Sequence, residues 1–399
     1  MKLATPPATS VGTSVGTSVG TSTAARRGPP SFEEAKNKRQ RARAAGMNPN
    51  YWYAVEYDAT VKPGQITPVT FWKQEIALFR TEAGVLGAVE NRCAHRHLPL
   101  TMGEVKGQCI ACPYHGWHYD GSGRLAKIPH ELFGHEMPKV RIRSFPVKVR
   151  YGLIWVFPGD PELAELRHIP DIPLLEGPGR YACVPIDMTW RAHHSMILEN
   201  VCDFSHEWLH RKTKPFENAR LVKVETVEDK VLMSYDCKVA MGDFSQHFID
   251  REATNTDHMQ LGFEYPYQWS NTGGTIRHWM LSLPIDERTT RCFFLFHFAS
   301  FVVPFTRVKI PRALVEPIIR AANKVLFTPL LGEDGWALEA EQRAWEESWD
   351  QPAPELNPVV HQMQELSIRK WEEHLATRKE RRRGRAEGAP TSGEVAAAG

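Results

Sequence analysis

Two short runs constrain this chain more than anything else in it: Cys93-Ala-His95 and, after sixteen intervening residues, Cys112-Pro-Tyr-His115. Each run pairs a thiolate with an imidazole. Two facing loops of that kind can hold a [2Fe–2S] cluster in which one iron takes both cysteines and the other both histidines. Such mixed ligation raises the potential above that of an all-cysteine cluster. A structural zinc site uses the same four donors, but its usual spacing groups cysteine with cysteine and histidine with histidine. The mixed pairing favours the cluster. Cys109 lies nearby in sequence, but no fifth ligand is needed and it reads as a packed thiol.

The second chemical signal is Glu199-Asn-Val-Cys-Asp203-Phe-Ser-His206-Glu-Trp-Leu-His210. On a helix, at about 100° per residue, Asp203, His206 and His210 fall within roughly 60° of one another and face one point. Two imidazoles from one segment plus a carboxylate from elsewhere make the facial triad of a non-haem Fe(II) oxygenase, with positions left open for dioxygen. A lone pair of histidines four apart is more often a solvated or packed face. His193 and His194 fall outside the ligand arc and read as structural.

The flanking residues decide between these readings. Arg96 follows the first cysteine–histidine pair, Gly103 lies between the pairs and Gly116-Trp117 follows the second; Asn200-x-x-Asp203-x-x-His206…His210 comes about 90 residues later. With these motifs, and over residues 50–376, the chain resembles the Rieske non-haem iron ring-hydroxylating oxygenases, specifically their terminal (alpha) subunits. The three residues between His206 and His210 are similar to carbazole dioxygenase and oxoquinoline monooxygenase; most members have four. His97 stands where the family usually has glycine.

The resemblance implies a Rieske cluster on Cys93, His95, Cys112 and His115 and a mononuclear Fe(II) on His206, His210 and a distant carboxylate. Asp334 is the preferred third ligand, because Glu333-Asp-Gly-Trp-Ala-Leu-Glu339 is similar to the ligand-bearing stretch of the carbazole-type members. Glu333, Glu339 and Asp350 are the competing candidates. The resemblance also implies a homotrimer in which Asp203 acts catalytically, bridging His95 or His115 of one chain to an iron-ligand histidine of the next. Electrons would come from a ferredoxin or an NAD(P)H-dependent reductase, since this chain has no G-x-G-x-x-G opening a βαβ unit. The expected reaction uses O2 to hydroxylate or dihydroxylate an aromatic or polycyclic small molecule. Demethylation at oxygen or nitrogen, or action on a natural-product or pigment intermediate, is the alternative within the same chemistry. A purely electron-transferring Rieske protein is the alternative outside it. Phe204, Trp208, Phe244, Trp279, Phe294, Phe296 and Phe298 are candidates to line a substrate cavity.

The expected fold is α+β: an all-β cluster domain at 46–160, then a helix-grip-like antiparallel sheet covered by helices at 170–377. At 399 residues, two cores are the natural expectation. Strand-like runs punctuated by Gly and Pro occur at 51–57, 69–72, 76–80, 85–90 and 153–157, then at 221–227, 231–239, 276–283 and 291–301. Helical patterns occupy 191–210, 312–326, 334–349 and 359–375. Residues 1–45, with their VGTS repeats, and the basic 378–399 read as unstructured tails. The acid-poor N-terminus also admits an organellar transit peptide beside the cytoplasmic expectation. A formal charge of +2 with no basic–aromatic stripe speaks against nucleic acid. No stretch of about 20 apolar residues suggests a membrane span. Seven cysteines at irregular spacing do not resemble a secreted disulfide framework.

Overall fold

Short alternating runs broken by Gly and Pro turns become three small antiparallel sheets in the first half of the molecule. The structure, a computed structural model, describes residues 28–176, 182–211, 213–238, 258–274, 276–298, 308 and 310–387. Strands β1 (Tyr53–Tyr57), β9 (Val147–Arg150) and β10 (Leu153–Val156) form one sheet, and β2 (Ile66–Phe71), β3 (Gln74–Arg80) and β4 (Leu86–Glu90) a second. The third contains β5 (Glu104–Lys106), β6 (Cys109–Ala111), β7 (His118–Tyr119) and β8 (Leu125–Lys127). Beneath the cysteine–histidine loops lies a separate apolar cluster that includes Phe79, Val89, Leu100, Ile110 and Tyr119, together with both loop cysteines.

The second half is built on one antiparallel sheet. Its strands are β11 (Ala182–Trp190), β12 (Glu217–Val227), β13 (Lys230–Lys238), β14 (Met259–Glu264), β15 (Tyr267–Thr272), β16 (Ile276–Asp286) and β17 (Thr289–Phe298). They are ordered β11-β17-β16-β15-β14-β13-β12. The α+β expectation holds. Three of these strands, β11, β14 and β15, are absent from the sequence reading. β15 shows why: Gln268, Ser270 and Thr272 are buried polar residues on its inward face, so its apolar alternation is inverted.

Four helices are described: α1 (Lys38–Ala44), α2 (His194–Asn200), α3 (Arg312–Ser348) and α4 (Pro358–Glu387). Two of them correct the expected tails. α1 lies inside 1–45, and α4 continues past 377 to Glu387. Basic residues that look solvated in sequence find acidic partners from distant elements. Arg43 is 6% exposed, donates to Glu199 through Nη2 (2.7 Å) and to Glu341 (2.9 Å), and so ties α1 to α2 and α3. Lys38 and Arg41 pair with Glu365 and Glu372 of α4, and Arg381 pairs with Asp160 (2.5 Å) and Glu162 (3.1 Å) of the first half.

Two helix expectations are also corrected. Segments 312–326 and 334–349 are one helix, with Pro317 and Pro329 inside it, so Asp334 sits within a helix rather than opening one. Packing overrides the breaker signal. Gly335 permits the close approach, since a Cβ there would meet Trp190 Nε1 of β11 at 2.4 Å. The expected helix 191–210 ends at Asn200, and 201–210 continues as turns. Asp203 helps to end it by accepting from Ser205 N–H (2.8 Å), a local bond that competes with the helix ladder.

Candidate metal centres

The two cysteine–histidine loops fold alike. Cys93 N–H donates to Leu98 O and His97 N–H to Cys93 O, both at 2.9 Å. In the second loop Cys112 N–H donates to Trp117 O (2.9 Å) and Gly116 N–H to Cys112 O (3.1 Å). The residue four past each cysteine has positive φ: 60° at His97 and 66° at Gly116. His97 thus holds a left-handed conformation that glycine adopts freely and other residues at a cost of about 1–2 kcal/mol. The loop keeps its shape despite the departure from the family pattern.

Cys93 and Cys112 are buried, whereas His95 is exposed and His115 half-buried, with ring centroids 4.6 Å apart. Trp117 stacks on His95 at 4.8 Å. Among the described residues, only His206, His210 and Asp334 bring three donor atoms within 4.8 Å of one another. The two cysteines are buried in one cluster while the two histidine rings sit together outside it, a sorting of sulfur from nitrogen donors in keeping with two irons. Cys109 is half-buried and free of any disulfide.

Tyr119 is a residue that motif reasoning missed. Ala94 N–H donates to its oxygen (3.0 Å), which leaves the phenol hydrogen for Cys93 Sγ at 3.3 Å. A hydrogen bond to a cluster thiolate favours the more negative, reduced state. Tyr119→Phe should lower the cluster potential by on the order of 50 mV, the one-electron equivalent of about one modest hydrogen bond. An EPR-monitored redox titration reads it; an unshifted midpoint would show that the bond does not reach the sulfur.

The second centre gathers residues from two segments. His206 Nε2 and His210 Nε2 lie 3.6 and 3.5 Å from Asp334 Oδ1. That oxygen is buried and makes no hydrogen bond. Asn200 hydrogen-bonds the Asp334 carboxyl, yet burial and then the charge of Glu333 leave its pKa pushed up to about 7. His206 is pushed down to about 4 by burial and by His210. Burial also lowers His210, with Glu333 working against it. A buried carboxylate oxygen without a partner, faced by two neutral imidazoles, is the environment a divalent cation satisfies. Two His and one carboxylate suit iron(II) with open positions.

Glu333 supports His210 and is not one of the three clustered donors. Its Oε2 accepts from Thr213 Oγ1 (2.6 Å) and lies 3.1 Å from His210 Nδ1. With Nδ1–H donating there, the His210 Nε2 lone pair points to the centre. Glu339 is turned away to accept from Arg191 N–H (3.2 Å), and Asp350 is exposed beyond the end of α3. His193 caps α2, and His194 Nε2–H donates to Ala45 O (2.9 Å), both structural. Asp203 is half-buried beside His206 and is not one of the clustered donors.

One side of this centre opens on an apolar cavity lined by Phe204, Phe216, Phe294, Phe296, Phe298 and Phe327, with Ser270, Thr272 and His278 among its few polar residues. The three β17 phenylalanines alternate along one strand and so share a face. Four of the candidate lining aromatics are here. Trp208 is instead 79% exposed, Trp279 does not reach the cavity, and Phe244 lies outside the described residues.

Comparison with known proteins supports the two-part reading. Residues 51–144 match the Rieske [2Fe-2S] domain family and residues 190–378 the vanillate O-demethylase oxygenase C-terminal domain family. A 4beta-methylsterol monooxygenase of Methylococcus capsulatus is 48% identical over 336 residues, which is 84% of this chain and 91% of that protein. The oxygenase component of dicamba O-demethylase from Stenotrophomonas maltophilia is 32% identical over 193 residues, 46% of this chain and 52% of that one. Among solved structures, dicamba monooxygenase bound to 3,6-dichlorosalicylic acid superposes with a TM-score of 0.66 at 22% identity, covering 83% of this chain and 99% of that one.

Proposed function

The chain belongs to the Rieske non-haem iron oxygenases, and from that premise we propose that it monooxygenates a methyl-bearing polycyclic substrate of the sterol type. It is an oxygenase with a [2Fe–2S] cluster and a mononuclear iron. When bound, the cluster supplies electrons singly and the iron supplies the site at which dioxygen is activated. Cys93, His95, Cys112 and His115 would hold the first, and His206, His210 and Asp334 the second. Glu333 fixes the His210 tautomer, and the phenylalanine wall excludes water and presents the substrate's apolar face.

The observation that carries the substrate reading is that cavity. Away from the metal-centre residues it is mainly aromatic and aliphatic, and among the described residues no lysine or arginine lines it to meet a carboxylate. A fused-ring hydrocarbon skeleton suits it better than a charged aryl acid. The 4beta-methylsterol monooxygenase, similar over most of both chains, points the same way. Electrons would come from a ferredoxin or reductase, as the component names of the multicomponent relatives suggest. Among the described residues no helix is long and apolar enough to cross a membrane. A homotrimer would set one chain's cluster beside the next chain's iron.

The test is turnover under 18O2 with a surrogate reductase and ferredoxin, offering a methylated sterol beside an aryl methyl ether. A sterol product carrying one labelled oxygen is expected. Formaldehyde from the ether with an untouched sterol would replace this reading with demethylation.

A further inference from the structure

We propose that Ser270 reads a hydroxyl group on the substrate, accepting the alcohol's O–H through lone pairs that a directed relay keeps free. The inference rests on the polycyclic-substrate reading above and names the functional group by which such a substrate is registered in the pocket.

The relay runs along the inward face of β15 and β16, where Ser270 and His278 are directly paired across the strands. Gln268 is fully buried and donates through Nε2 to Trp269 O (3.1 Å), so its Oε1 is the end turned to His278. His278 Nε2 lies 3.0 Å from that Oε1 and must donate to it. A neutral imidazole has one N–H, so Nδ1 is left as an acceptor. The Ser270 hydroxyl, 2.7 Å away, therefore donates into Nδ1. Burial, with His297 adding to it, pushes His278 down to about 4 and keeps it neutral.

The Ser270 hydrogen is thereby committed. Ser270 is 4% exposed, and its oxygen makes no other hydrogen bond among the described residues. It belongs to the wall of the cavity that contains His206, His210 and Asp334. A polar trio set into a wall of phenylalanines is costly to bury unless it meets a partner. Relay bonds satisfy Gln268 and His278 but leave Ser270 presenting an acceptor. An alcohol can donate to it. A ketone at the same position would set oxygen against oxygen, unless Ser270 turned its hydrogen away and stranded His278 Nδ1. Ser270 would touch the substrate, and His278 and Gln268 would be positioning residues.

The experiment is anaerobic equilibrium dialysis of the iron-loaded enzyme with three probes: a saturated steroid 3-alcohol, the ketone obtained by oxidising it, and the hydrocarbon lacking the oxygen. The alcohol should bind about tenfold more tightly than either, the worth of one hydrogen bond. Ser270→Ala should erase the preference and Ser270→Thr, which keeps the hydroxyl, should retain it. In His278→Leu the freed hydroxyl can turn either way, so the alcohol-to-ketone ratio should fall towards one; a merely structural role would weaken both probes alike. Equal binding of the probes to the wild-type enzyme, or a preference that survives in Ser270→Ala, would overturn the assignment and leave the polycyclic reading intact. Binding of none of the three would overturn that reading, and this one with it.

Discussion

Asp334→Ala is expected to leave the cluster's absorbance and EPR signal in place while the mononuclear iron is lost, so that iron falls from about three to about two per chain. Product formation should drop below detection. The expectation follows from what each donor contributes. Two neutral imidazoles bring no charge to the centre, and Asp334 is the only carboxylate among the clustered donors. Its unpartnered Oδ1 lies closest to where both Nε2 atoms converge. Glu333→Gln should behave differently, weakening iron binding by roughly 10–100-fold, because it supports His210 through Nδ1 and does not reach the centre. Metal analysis of both variants, with the cluster signal as internal standard, checks the pair. Full iron retention in Asp334→Ala would move the third ligand elsewhere, and equal losses in the two variants would make Glu333 a ligand.

Much of the chemistry was legible because the donors are close in sequence. The cysteine–histidine runs need only two loops, and those loops are closed by their own backbone bonds. The histidine pair was legible as residue types but not as geometry. An uninterrupted helix was expected, whereas Asp203 and Ser205 form a local turn and the histidines approach Asp334 from a non-helical stretch. What stayed hidden depends on distant partners. Tyr119 reaches the Cys93 loop from β7, Arg43 enters the core only because Glu199 and Glu341 are there, and the buried polar face of β15 imitates a loop. Glu333 and Asp334 are adjacent in sequence; the resemblance favours Asp334, and the fold adds what Glu333 does, accepting from Thr213 and meeting His210 Nδ1.

Asp203→Asn should keep cluster and iron yet reduce product formed per electron by about 10–100-fold, an effect of the size expected when a histidine loses its orienting carboxylate. The substitution is close to isosteric and leaves an oxygen to accept from Ser205 N–H, so the turn that follows α2 should survive. What changes is charge. In the proposed trimer the other Asp203 oxygen would meet His95 or His115 of a neighbouring chain, the first exposed and the second half-buried. A carboxylate there holds the imidazole tautomer and favours its proton when the cluster is reduced, whereas an amide can do neither as well. Iron content, the cluster EPR signal and single-turnover product from pre-reduced enzyme separate the possibilities. Iron loss would make Asp203 a structural support of His206. Wild-type product yield from a fully loaded variant would remove it from the path between the two centres.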